Sequence, residues 1–364
     1  MSQFGAQPAK KPTLLPLPPH PEGLAWPTQE WPRDELDPRV DRASLDRLLD
    51  HAFTDPGPDD LELTYGVVVV QHGAIVAERY SPSVSPDDAF LSWSMAKSIT
   101  NSLIGILVRQ GKLDISKPIS VKEWSAGDPR SRITIDQMLR MVDGLRFREA
   151  EHLGGGSVRY YDENESDVIP MLFGAGKNDT AGFASTLPYL APPEERWNYN
   201  SGASNLLSRL VRETIGGGEA EMLEFMREEL FEPLGMTTAD PKFDAAGNFI
   251  GSATCYCSIR DFARFGYLFL RDGEWDGRRI LPAGWADYCR TPTLQSDGTY
   301  GAHFWTIPGS LGIFYCSGMG GQRVLISPKL DLIVTRMGKT SPHKVAAVVQ
   351  YCKELIDAFR PTAD

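Results

Sequence analysis

The chain has 364 residues, 41% of them apolar and 23% charged, the make-up of a soluble globular protein with one large domain or two interleaved ones. Its 37 basic against 48 acidic residues give a net charge of −11 without long runs of either sign, which argues against a nucleic-acid partner. No segment approaches the length that spans a bilayer, the N-terminus has no apolar signal core, and five cysteines (Cys255, Cys257, Cys289, Cys316, Cys352) lack any CxxC or metal-finger spacing, so a reduced cytoplasmic setting without a metal is expected.

Residues 1–40 hold nine of the 27 prolines, so this arm is expected to wrap the surface or stay mobile rather than enter a helix or sheet. A short helix follows over 44–53, apolar at Leu45, Leu48, Leu49 and Phe53. Two β-branched runs between Tyr65 and Tyr80 flank His72-Gly73 and read as a hairpin, which makes His72 a turn residue. The run 94–108 carries Ile99, Leu103, Ile106 and Leu107 on one face and stops at Gly111, as a buried helix does. Between 133 and 234 helical patterns alternate with Gly-rich loops. One helix is marked by Leu206, Leu207, Leu210 and Val211 and ended by Gly216-Gly217-Gly218, and His152 beside Gly154-Gly155-Gly156 suggests a loop. A helix over 258–271, strands near 314–316, 323–326 and 332–336, and a last helix over 343–359 complete the chain.

Strands at both ends of the sequence predict an α/β (α+β) fold: one antiparallel sheet flanked by N- and C-terminal helices, with a mostly α-helical domain inserted. The expected boundaries are 1–40 for the arm, 41–118 with 250–364 for the sheet domain, and 119–249 for the helical one.

Ser94-Met95-Ala96-Lys97 heads the buried helix and sets a hydroxyl and an amine on one face, where the amine can take the hydroxyl's proton. A second serine–lysine copy, Ser341 and Lys344, precedes the last helix and reads as an N-cap with Pro342 at the first helical position. A nucleophile of this kind also needs a proton carrier for the leaving group and donors for the oxyanion. Tyr199, within Arg196 to Ser204 (RWNYNSGAS), offers a phenol on a small polar loop, or a packed aromatic. Ser317-Gly318-Met319-Gly320-Gly321 sits between two strands, as a backbone able to approach a ligand or as a tight turn.

With these three segments in order, the chain resembles the serine β-lactamase-like superfamily: class C β-lactamases, penicillin-binding proteins, related esterases and 6-aminohexanoate-dimer hydrolases. Supporting phrases are LDISKPI (113–119), Asp143-Gly144-Leu145, LFEPLGM (230–236), RDFARFG (260–266) and YGAHFW (300–305). The resemblance implies that Ser94 is acylated, that Lys97 activates it, that Tyr199 shuttles the proton, and that the amides of Ser94 and Met319 form the oxyanion hole. Tyr160, Tyr161, Ser201, Trp305, Gly318 and Gly320 are the expected substrate-binding residues.

Two positions depart from the family pattern: Ser201 stands where asparagine is frequent, and Cys316 where β-lactamases and penicillin-binding proteins carry a lysine that holds a carboxylate. The resemblance thus implies a cofactor-free serine hydrolase for small carboxylic esters or linear amides, with a β-lactamase or D-amino-acid peptidase as the alternative. A non-catalytic ligand-binding or self-assembling member of the fold is the rival of another class. A small ester or amide is the expected partner, with neither nucleic acid nor membrane, and a homodimer is left open.

Overall fold

The structure, a computed structural model, describes residues 14–154, 157–310 and 312–360, and over 151–154 and 157–160 the backbone alone. Helix α1 (Arg42–Ala52) starts at Asp41, whose carboxylate accepts the Ser44 amide. Strands β1 (Leu63–Gln71) and β2 (Ala74–Tyr80) form the expected hairpin around His72, which adopts a left-handed φ of 49°. Helix α2 (Ala96–Arg109) follows. The middle of the chain holds a small sheet of β3 (Ala150–Gly154), β4 (Ser157–Tyr160) and β5 (Asn198–Tyr199), then α3 (Ser201–Ile215). Later come α4 (Ile259–Leu270), β6 (Trp305–Thr306), β7 (Phe314–Gly318), β8 (Gln322–Ser327), β9 (Leu332–Lys339) and α5 (Val345–Asp357).

The main sheet has six strands in the order β6-β7-β8-β9-β1-β2, every pair antiparallel, so the first hairpin closes onto the last strand of the chain. Alternation along β1 gives the sheet its two apolar faces. Val67 and Val69 join Leu45, Leu49, Leu355 and Ile356 beneath the terminal helices. Val68 and Val70 join Ile99, Leu103, Phe265 and Phe269 on the side of α2 and α4. Helix α4 reaches the sheet through Gly266, where an added Cβ would stand 2.6 Å from Val324 Cγ1. Overpacking at such a contact costs about 1–3 kcal/mol, so Gly266→Ala is expected to lower the unfolding free energy from urea titration by that amount, and an unchanged value refutes the tight seat.

From residue 14 onward the proline arm is docked on the body of the protein. Arg264 donates to Pro27 O at 2.6 Å and Gln29 O at 3.1 Å, Arg271 donates to Pro18 O at 2.9 Å, and Arg290 donates to Leu15 O. Among the described residues no helix is long and apolar enough to cross a membrane.

Two local expectations change. His152 and Gly154 belong to β3, paired with β4, rather than to a loop; Gly155 and Gly156 lie outside the described residues. A glycine triple reads as irregular chain, yet here the segments on either side of it pair with each other. At the second serine–lysine copy, Ser341 does precede a short helical turn with Pro342 first, but its hydroxyl donates to Glu62 instead of capping the turn.

Candidate active site

Ser94 lies in a 3₁₀ turn, Trp93–Met95, that runs directly into α2. Trp93 takes a φ of 45°, a costly conformation for a bulky side chain that surrounding contacts must hold in place. They come from a distant segment of chain: the Ser92 amide donates to Cys255 O at 2.9 Å, and the Cys255 amide donates to Ser92 Oγ at 3.0 Å. Cys255 and Cys257 themselves point the same way, sulfurs 3.7 Å apart, both free.

Lys97, one turn on, is 1% exposed. Its Nζ donates to Ser201 Oγ at 2.8 Å, to Ser252 O at 3.0 Å and to Ser94 Oγ at 3.2 Å, and it lies 4.7 Å from the centre of the Tyr199 ring. Burial without a directly bonded carboxylate disfavours the ammonium form and pushes this amine down from 10.5 to about 8, with the Glu149 carboxylate acting in the opposite sense. An appreciable neutral fraction therefore exists near neutral pH.

Tyr199 arrives on β5, whose pairing with Ala150 of β3 fixes the strand just before α3. Its ring sits 6.1 Å from Trp197, 5.9 Å from Tyr300 and 5.4 Å from Trp305, centre to centre. Asn200 caps α3, its side-chain oxygen accepting from the Ala203 amide at 3.0 Å while its amide group donates to buried Asp143, whose carboxyl is pushed up to about 7 by burial. Ser201, the first residue of α3, thus faces Lys97, and its own amide donates to Glu149 Oε2 at 3.0 Å.

On the far side, β7 ends against the Ser94 turn. An added Cβ at Gly318 would stand 2.2 Å from Ser92 O and 3.2 Å from Trp93 Cβ, so only glycine allows this approach. Met319 follows, its side chain exposed, in a turn whose Gly320 and Gly321 carbonyls accept from the buried Arg336 guanidinium. Arg336 also donates to Leu61 O, Thr64 and Thr340, tying this turn to the sheet. Cys316, two residues before Gly318, is buried against Ser98, and burial raises its thiol to about 12, so it is neutral at working pH. His303 is neutral too: burial and Lys97 push it down to about 3, while its ring bonds Lys97 O at 2.9 Å and Ser204 Oγ at 3.2 Å.

The structure therefore brings Ser94, Lys97, Tyr199 and Ser201 together, with Gly318 and Met319 alongside and half-buried Trp305 against Tyr199. Tyr161 is half-buried next to the same region, its amide donating to Glu149 O at 3.2 Å. Tyr160 pairs with Ala150 through its backbone, and its side chain lies outside the described residues. Sequence reasoning missed Glu149, the Ser252 carbonyl and His303 as neighbours of Lys97. No spacing rule links them, because each comes from a different element.

An antiparallel sheet with helices on both faces and a serine–lysine helix against it is the architecture of β-lactamases and penicillin-binding proteins. The chain belongs to the Beta-lactamase family, whose model matches residues 61–350. It is 23% identical to the 6-aminohexanoate-dimer hydrolase of Paenarthrobacter ureafaciens over 75% of this chain and 72% of that one. Its fold is similar to that of a candidate 6-aminohexanoate-dimer hydrolase from Bacillus anthracis (TM-score 0.72, 22% identity, 94% of this chain and 89% of that one). A penicillin-binding protein from Bacillus halodurans shares the fold as well (TM-score 0.62, 16% identity, 84% and 99%).

Proposed function

We propose that the protein is a serine hydrolase that acts through a covalent acyl-enzyme on small carboxylic esters or linear amides. The observation that carries this reading is the buried Lys97 amine 3.2 Å from a half-exposed Ser94 hydroxyl. When neutral, Lys97 spends its two N–H bonds on Ser201 Oγ and Ser252 O, which leaves its lone pair for the Ser94 proton. Ser94 Oγ then bonds the substrate carbonyl carbon, the amides of Ser94 and Met319 hold the oxyanion, and Tyr199 with Lys97 passes the proton to the departing alcohol or amine. Water repeats the sequence in reverse and releases the acid.

Similarity to a 6-aminohexanoate-dimer hydrolase favours a linear amide or ester. The neutral Cys316 disfavours a β-lactam, because it stands at the position where β-lactamases and penicillin-binding proteins carry the lysine that holds that substrate's carboxylate. The five cysteines are all free, which fits the cytoplasmic location we assign. The deciding experiment is a turnover screen of p-nitrophenyl butyrate, aminohexanoate dimer, D-alanyl peptides and nitrocefin, with fluorophosphonate labelling mapped to a peptide. Label on Ser94 with ester or amide turnover above that of nitrocefin is expected; absence of label removes the reading.

Tyr199→Phe keeps the ring that packs between Lys97 and Trp305 and removes only the hydroxyl. A proton shuttle at this position contributes about 100- to 10,000-fold, so turnover of p-nitrophenyl butyrate is expected to fall into that range while the unfolding midpoint holds. An unchanged rate would assign Tyr199 to packing alone.

A further inference from the structure

Resting on this reading, we propose that Glu149 is a positioning residue for the Lys97 base: seated on the first amide of α3, its carboxylate stabilises the ammonium that forms when Ser94 gives up its proton. The seat is specific. Glu149 Oε2 accepts from the Ser201 amide at 3.0 Å, and the hydroxyl of that same residue is the 2.8 Å partner of Lys97 Nζ, so carboxylate and amine share one intermediary. The N-terminus of α3 adds its own preference for a negative group there. Glu149 is half-buried.

The groups packed around Lys97 leave little else to do this work. Tyr199 presents its ring face, Ser94, Ser201 and Ser252 present neutral oxygens, and His303, bonded to Lys97 O and Ser204 Oγ, is held neutral. Tyr300 is raised by burial and by neighbouring Tyr199 and Glu149, and the Cys316 thiol is raised by burial, so both are uncharged. Asp143 titrates nearby but bonds Asn200 and the Leu145 amide, not Lys97. Among the described residues Glu149 is thus the formal charge that opposes the desolvation of Lys97. A base that is too weak takes the Ser94 proton slowly even though it is more often neutral, so an opposing carboxylate raises the intrinsic rate and moves the working range upward together.

The test is the pH profile of fluorophosphonate labelling at Ser94 in the full chain, read by intact mass. Wild type is expected to gain label with an acid limb near pH 8, where Lys97 deprotonates. Glu149→Gln keeps an acceptor for the Ser201 amide and removes the charge; its limb is expected to move down by about 0.5 to 1 pH unit and its alkaline plateau to fall about threefold to tenfold. Glu149→Asp keeps the charge and is expected to hold the limb within about 0.3 unit of wild type, which gives a reading even where the glutamine variant folds poorly. A Gln profile superimposable on wild type, or an Asp limb displaced as far as the Gln one, overturns the proposal while leaving the Ser94–Lys97 reading standing. Absence of label on wild type overturns both.

Discussion

Ser94→Ala is expected to take no fluorophosphonate label and to hydrolyse p-nitrophenyl butyrate at least about a thousandfold more slowly than wild type. The loss should be this large because the second serine–lysine pair is not poised for attack. Ser341 and Lys344 repeat the spacing, but Lys344 donates to the Asp59 carboxylate at 2.9 Å and lies 3.2 Å from Glu62, contacts that raise its affinity for the proton. An amine held charged in this way cannot accept a proton from Ser341, whose hydroxyl is already spent on Glu62. The alanine variant keeps Cβ and the backbone of the Trp93 turn, so its unfolding midpoint should match wild type within a few degrees. Equal labelling of variant and wild type would show that the reactive serine lies elsewhere.

Lys97→Met is expected to cut acylation of Ser94 by about a thousandfold or more, and to remove a pH dependence of stability that wild type displays. The fold pushes this amine from 10.5 to about 8, so between those values the unfolded chain binds the proton and the folded chain does not. Stability of wild type therefore rises as pH climbs through this window, by about 3 kcal/mol in total, and the penalty is fully present below it. Methionine has similar length and no charge to bury; against that, it leaves Ser201 Oγ and Ser252 O short of a donor, at about 1–3 kcal/mol. Urea titrations of both proteins at pH 7.5 and 10.5 give the comparison. Because other groups titrate equally in the two, the difference between the curves isolates Lys97, and parallel curves would mean that its charge is not buried at all.

Much of this arrangement is legible along the chain because it is local. The spacing from Ser94 to Lys97, the β-branched runs around His72 and the apolar stripe of Leu206 to Val211 each state their own element within a few residues. Strands at both ends of the sequence suggest one sheet, while the pairing of the first hairpin with the last strand is seen in the structure. What does not read out is set by distance. Glu149 reaches the Ser201 amide because β3 pairs with β5 and so brings its preceding residue to the head of α3. Ser252 contributes through a carbonyl, which every residue has, so its identity carries no signal. The left-handed Trp93 contradicts the preference of its own side chain and exists because Cys255, far along the chain, grips Ser92 from both directions. The β3–β4 pair is hidden by its glycines, which look like a break from inside the sequence.

The docked arm has a consequence for how the molecule is made. Its carbonyl partners on Leu15, Pro18 and Gln29 are bound by guanidinium groups that follow them in the chain by 275, 253 and 235 residues. During synthesis the segment emerges well before those guanidinium groups and cannot be bound by them until they too are translated. Its prolines suit that delay, since they keep it extended and poor at pairing with the half-made sheet. Closing so long a loop is only modestly dearer than closing a short one, so latching can come late without forfeiting much stability. Residues 15–29 can thus take their final places only once the arginines that hold them have been made.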